Sequence, residues 1–155
     1  MVVLDTPQMT GRPAQMMGFM DAVKNVLLNN YFSFNGRASR SEYWWWILAQ
    51  FTILIPLSFL DGLVFGWGYN DPMWFSNIFM LAILLPNLSV NVRRLHDTGR
   101  SGWWILLILI PIVNVCGWIP MLVFTLMDGE PYANAYGDVP TNILPTDWAA
   151  SMNNR

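Results

Sequence analysis

Charge is scarce in this chain. Only 12% of its 155 residues are Asp, Glu, Lys or Arg, and the net charge is −2; an ordinary soluble domain carries about twice that share. The slightly acidic balance excludes a general nucleic-acid binder, which needs a basic patch or stripe. A hydrophobic content of 54% excludes a disordered chain. Cysteine is nearly missing. Cys116 stands alone, which excludes an intrachain disulfide and a cysteine-built metal site. His96 is also alone, which removes most metal and triad chemistry that needs two imidazoles. No catalytic set, metal site or cofactor is therefore expected.

What the chain has in plenty is apolar surface, with nine Trp and nine Phe. Three stretches contain no Asp, Glu, Lys, Arg or His: Tyr43–Leu60 with 18 residues, Pro72–Val92 with 21 and Gly102–Met127 with 26. A helix needs about 20 residues to cross a bilayer. The expected fold is an all-α integral membrane protein with three transmembrane helices over 43–65, 72–92 and 102–127. At 1.5 Å per residue the third run would reach about 39 Å. That is long for one upright helix and short for two crossings, and Pro111, Asn114, Gly117 and Pro120 interrupt it. One tilted, Pro-kinked helix is the leading expectation. Two half-helices forming a re-entrant hairpin are the alternative, since broken backbone is tolerated at membrane depth where protein or water covers it.

Ahead of the first run, Phe19, Met20, Val23, Val26, Leu27 and Tyr31 recur at helical spacing, while Asp21, Lys24, Asn25 and Asn29 fall largely on the other side. This pattern predicts an amphipathic interfacial helix over 19–32. Residues 1–18 and 141–155 show no period and are expected to be irregular tails.

Basic residues set the orientation. Arg12, Lys24, Arg37 and Arg40 precede the first crossing, and Arg93, Arg94 and Arg100 lie between the second and third. The loop over 61–71 has none. Basic loops stay in the cytoplasm, so the N-terminus is expected inside. Three crossings would put the C-terminus outside, and a re-entrant third run would bring it back. Trp44, Trp45, Trp46, Trp103 and Trp104 open crossings at the cytoplasmic level, and Trp67 and Trp74 flank the outer loop, as expected of two aromatic belts. Gly36-Arg37 and Gly99-Arg100 each introduce small residues and then Trp at a helix entrance.

The densest chemistry is RRLHDTGRSGWW, Arg93–Trp104. Arg37, Arg40, Arg93, Arg94 and Arg100 are candidates to anchor topology and to bind anionic lipid headgroups or a protein partner. Each basic residue at an anionic leaflet is worth about 1 kcal/mol. Glu42, His96 and Asp97 are candidates for structural pairing: Arg93 and Asp97 are i,i+4 neighbours, and cross-bridges such as Arg94 to Glu42 or Arg40 to Asp97 would lock the two cytoplasmic segments together. His96 beside Asp97 also admits lipid-phosphate chemistry as an alternative. Asn87 and Asn91 start a polar stripe that continues through Arg94 and Thr98. It faces either neighbouring helices or a small hydrated vestibule, which Gln50 and Asn114 would join. Asp61 is expected to reach outer water. Gly62 and Gly66 match a dimer motif but sit at a helix end, where a flexible loop is expected. Pro56, Pro86 and Pro111 place a kink in every run, and neighbours must satisfy the freed carbonyls.

FSFNGRASRSEYWWW (Phe32–Trp46), a Pro-containing second apolar run, RRLHDTGRSGWW and the Ile110-Pro111 step together closely resemble the bacterial inner-membrane family described as domain of unknown function 805. The resemblance spans about 19–140. The family pattern ends with Gly-x-x-Gly-x-Asn, a basic residue, an aromatic and Gly. Here GEPYANAYG (Gly129–Gly137) keeps Gly129, Asn134, Tyr136 and Gly137, with Tyr132 and Ala135 at the departing positions. The resemblance implies a small multi-pass protein of the bacterial cytoplasmic membrane and no known enzyme activity. Membrane lipids are the expected partners, with a homo-oligomer or an unidentified membrane protein as further candidates. A small oligomeric transporter or channel subunit is the alternative function.

Overall fold

Every regular element among the described residues is helical. The computed structural model describes 17–106, 111–130 and 133–140, with backbone alone over 111–116.

Ser39 starts the longest helix, α2 (Arg40–Phe65). Its extended backbone (φ −67°, ψ 162°) places Oγ to accept the Glu42 N–H at 3.2 Å, a serine N-cap. The helix stops where Gly66 turns to φ 108° and its N–H reaches the Gly62 carbonyl at 3.0 Å. At 26 residues it is long and apolar enough to cross a bilayer unaided, and only 17% of its most apolar window is buried inside the protein. Leu48, Phe51, Ile55, Phe59 and Leu63 all point outward. A core helix of a soluble protein would bury these side chains, so the surface they make suits lipid.

Helices α3 (Trp74–Ala82) and α4 (Leu84–Asp97) meet at Ile83 with a 45° bend. Together they are apolar and long enough to cross as one bent unit. The bend has a chemical cause. Pro86 has no N–H to give the carbonyl four residues back. That carbonyl, on Ala82, instead accepts the Tyr31 hydroxyl at 2.6 Å. The far end of α3 is held from α2: Asp61 accepts the N–H groups of Phe75 (2.9 Å) and Ser76 (2.8 Å). Asp61 is 1% exposed, which corrects the expectation that it reaches water. It is the N-terminal cap of α3, supplied across the chain turn. Gly62 beside it is filled against the Trp67 ring, which lies 2.5 Å from where a Cβ would stand. The Gly62–Gly66 pair thus ends a helix and seats an indole.

Helix α1 (Phe19–Lys24) runs on through a wider π turn, Asn25–Asn29. Phe19 meets Trp45 edge to face at 5.7 Å, and Ala22 and Val26 are buried. Met20 and Leu27 remain outward, beside exposed Asp21 and Lys24. The chain then passes to α4, where the Ser89 hydroxyl lies 2.8 Å from the Asn30 carbonyl and 2.6 Å from that of Ser33. The core gathers where these pieces meet, around Val26, Ala38, Trp46, Ile83 and Val90. Trp46 therefore leaves the expected aromatic belt. It turns inward and gives its indole N–H to Asn87 at 2.8 Å.

The third apolar run opens with a 3-10 turn, Gly102–Ile105, capped by Ser101, and ends in α5 (Pro111–Leu126). Residues 107–110 lie outside the described set, as do the side chains of Asn114 and Cys116. The two ends of the run are side by side. The rings of Trp104 and Phe124 are 5.5 Å apart, and Arg94, near the end of α4, holds the carbonyl of Thr125. One straight helix over 102–127 would separate those ends by most of its length. The described ends of the run, Trp104 and Phe124–Thr125, therefore lie together, which one straight helix does not give.

Candidate functional site

Five charged side chains are buried together at the end of α4: Arg37, Arg93, Arg94, Glu42 and Asp97. Glycine and local capping bring them there. Gly36 at φ 83° turns the chain so that Arg37 points into the protein, and the Ala38 N–H then bonds the Arg93 carbonyl at 3.0 Å. Ser39 next starts α2, which aims Glu42 at α4. In a capping box the Glu three residues after the serine would reach back to it. Glu42 goes across to Arg93 instead, at 2.6 Å.

Asp97 is held by two guanidiniums. Arg37 donates from Nε to Oδ1 at 3.0 Å, and Arg94 donates to Oδ2 from one turn earlier. Arg94 has further duties. It donates to the carbonyls of Ala38 (3.3 Å), Thr125 (3.2 Å) and Met127. Arg37 likewise reaches the Glu130 carbonyl at 2.6 Å. Three cations face two carboxylates, so the cluster carries one formal positive charge. That excess sits at the C-terminal ends of α4 and α5, where free carbonyls and the helix dipoles are negative. Arg37 and Arg94 are matched by several acceptors each, the condition under which a buried charge is tolerated, whereas Arg93 meets Glu42 and leaves its Nε without a partner.

The residues after α5 form a strap over the cluster. Asp128 pairs with Arg40 at 2.6 Å on the surface. The Glu130 N–H bonds the Asp97 carbonyl at 2.9 Å, and Asn134 donates to the His96 carbonyl at 2.9 Å. The Tyr136 ring stacks flat on His96, 3.9 Å between centroids and 3° between planes. Gly129 lies against the Asp97 carboxylate, where no side chain fits. His96, near the end of α4, donates Nδ1–H to the Gly36 carbonyl at 3.2 Å.

The expected site residues divide cleanly. Arg37, Arg93 and Arg94 are inside, bound to carboxylates and carbonyls. Arg40 and Arg100 stay at the surface, Arg40 on Asp128 and Arg100 over the Phe124 ring at 3.9 Å. The five arginines do not converge on one exposed pocket. The pairs themselves differ from the register expected on the helix: Asp97 takes Arg94 and Arg37, and Glu42 takes Arg93. The polar stripe faces α2. Asn87 accepts from Trp46 and Asn91 from the Tyr43 hydroxyl at 3.3 Å, so both amides serve helix–helix packing. The buried Gln50 amide nitrogen has no hydrogen-bond partner. Both oxygens of Asp97 are engaged by arginine, and among the described residues no three His, Cys, Asp or Glu gather to hold a metal. Sequence reasoning missed the strap. Its one signal was Gly129 and Asn134 in the tail motif, whose partners only the fold shows.

The sequence profile of the family described as "Protein of unknown function (DUF805)" matches residues 31–138. The chain belongs to the DUF805 family. "Inner membrane protein YhaH" of Escherichia coli strain K12 is 40% identical over 115 residues, covering 74% of this chain and 92% of the relative. "Inner membrane protein YhaI" of the same strain is 38% identical over 114 residues, covering 74% and 91%. "Uncharacterized protein YiiR" is 34% identical over 86 residues, 56% of each chain. No solved structure matches the chain significantly. The DUF805 match takes in Arg37, Glu42, the Arg93–Asp97 cluster and the strap to Asp138, and leaves α1 outside.

Proposed function

We propose that this DUF805 protein is a multi-pass, non-enzymatic protein of the bacterial cytoplasmic membrane that meets the phosphate layer of the inner leaflet through Arg40 and Arg100. The observation that carries this reading is the division of the arginines. Three are consumed inside the protein, and the Arg40 side chain is left 42% exposed at the entrance of a lipid-facing helix. The names of the relatives support the location. The basic residues before α2 and after α4 support a cytoplasmic cluster.

The same cluster argues that the tail is cytoplasmic too. Arg94, Arg37 and Arg40 bind Thr125, Glu130 and Asp128, so the chain leaves the third run at the end where it entered. On this reading the third run is re-entrant. A fluorescent or epitope tag on Arg155 should be reached by antibody only after the inner membrane is permeabilised. Labelling in intact spheroplasts overturns the topology. For the lipid contact, protein purified in mild detergent should carry less phospholipid after Arg40→Ala with Arg100→Ala. Unchanged phospholipid by mass spectrometry overturns the headgroup reading.

A further inference from the structure

A groove of about 710 Å³ opens beside the entrance of α2, between Gly18 ahead of α1 and the face of α2 that carries Arg40, Trp44, Trp45 and Leu48. Its lining is graded along the helix axis. Arg40 is at the mouth, the two indoles stand one turn deeper, and Leu48 lies about 12 Å from Arg40. A guanidinium followed by indoles and then an aliphatic side chain follows the order of a phospholipid, from phosphate through interface to hydrocarbon.

The mouth is not simply basic. Arg40 lies 2.6 Å from Asp128, whose side chain is 50% exposed. Asp21, exposed on α1, projects its carboxylate beside Gly18, 3.4 Å from where a Cβ there would stand. Arg40 thus lines the groove, and two carboxylates adjoin its lining, Asp128 at Arg40 and Asp21 at Gly18. A purely anionic headgroup would meet Arg40 but also two like charges. A zwitterionic headgroup bearing a primary amine complements both signs.

We propose that this groove binds one phospholipid with an amine-bearing zwitterionic headgroup. Its phosphate lies on Arg40, its ammonium faces Asp128 and Asp21, and one acyl chain runs over Trp44, Trp45 and Leu48. This rests on the headgroup reading above and names the lipid class of one contact within it. Carboxylates that repel an anionic lipid and attract an ammonium need contribute only about 1 kcal/mol, which is about a fivefold preference.

The full chain, purified and stripped of lipid in detergent, is titrated with phosphatidylethanolamine or phosphatidylglycerol of identical acyl chains and examined by native mass spectrometry. The expected result is one retained phosphatidylethanolamine, favoured about fivefold over phosphatidylglycerol. Arg40→Ala should weaken both lipids. Asp21→Asn with Asp128→Asn should erase the preference while phosphatidylglycerol still binds. Leu48→Trp, at an outward position that the core does not use, should fill the groove and block the first lipid. Equal retention of the two lipids, with loss of both in Arg40→Ala, overturns the amine specificity and leaves the headgroup reading standing. Unchanged binding by Leu48→Trp overturns the groove as the site. Binding that appears only after removal of residues 1–16 shows that the chain's own N-terminal segment occupies the groove, and overturns the proposal. Retention of neither lipid overturns this inference and the headgroup reading together.

Discussion

Tyr31 donates its phenolic hydrogen to the Ala82 carbonyl at 2.6 Å, in the place where Pro86 has no hydrogen to give. A residue outside the apolar runs thereby satisfies a carbonyl inside one of them, 51 positions away. Tyr31→Phe should destabilise the protein by about 1–2 kcal/mol, the cost of a carbonyl left without a donor. Pro86→Ala restores the N–H, so Tyr31→Phe should cost much less in that background. Thermal unfolding of the four variants in one detergent measures the coupling. An effect of Tyr31→Phe that is the same in both backgrounds refutes the link.

The buried cluster should be intolerant of losing one partner. Removing one member of a buried pair typically costs about 3–5 kcal/mol, because the other charge stays buried. Arg94→Ala and Glu42→Ala should each fall in that range, seen as loss of folded protein and of thermal stability. Arg94→Lys should rescue poorly, since a point charge does not reproduce a fork that serves Asp97 and several carbonyls. Arg40→Ala, on a half-exposed pair, should cost under about 1 kcal/mol. Equal costs at Arg40 and Arg94 would show that the cluster is not the lock described.

Two glycines should fail for different reasons. Gly36→Ala has open space around it but keeps a backbone at φ 83°, a penalty of about 1–2 kcal/mol. Gly129→Ala drives a methyl into an Asp97 carboxylate that two arginines prevent from moving. It should release the strap residues 128–130 and 133–137 from the cluster. Limited proteolysis should cut that segment faster in Gly129→Ala than in Gly36→Ala; the reverse order contradicts the close approach.

Some of the site was legible before any fold. Glu42 and Asp97 stand out as partners for the nearby arginines, although the helical spacing points to Arg93 for Asp97, and Asp97 takes Arg94 and Arg37 while Glu42 takes Arg93. The two Gly-Arg steps look alike in sequence, and both glycines do adopt positive φ, 83° and 70°. Their arginines nevertheless part company. Arg37 turns inward to Asp97, while Arg100 stays out on the Phe124 ring. Local spacing contains nothing that separates them, because their partners lie on other segments.

The sequence by itself determined the solvent. Uncharged runs, an amphipathic entry segment and scarce charge depend only on composition and period, and these dictate helices whose apolar faces need lipid. Only the tertiary structure decided which charges pair, that Trp46 and Asp61 turn inward, and that Thr125 returns to Arg94. Pairing depends on distances between segments separated by 51 and 60 residues. Hydropathy records how each segment is solvated, but carries no information about which carboxylate a guanidinium will meet.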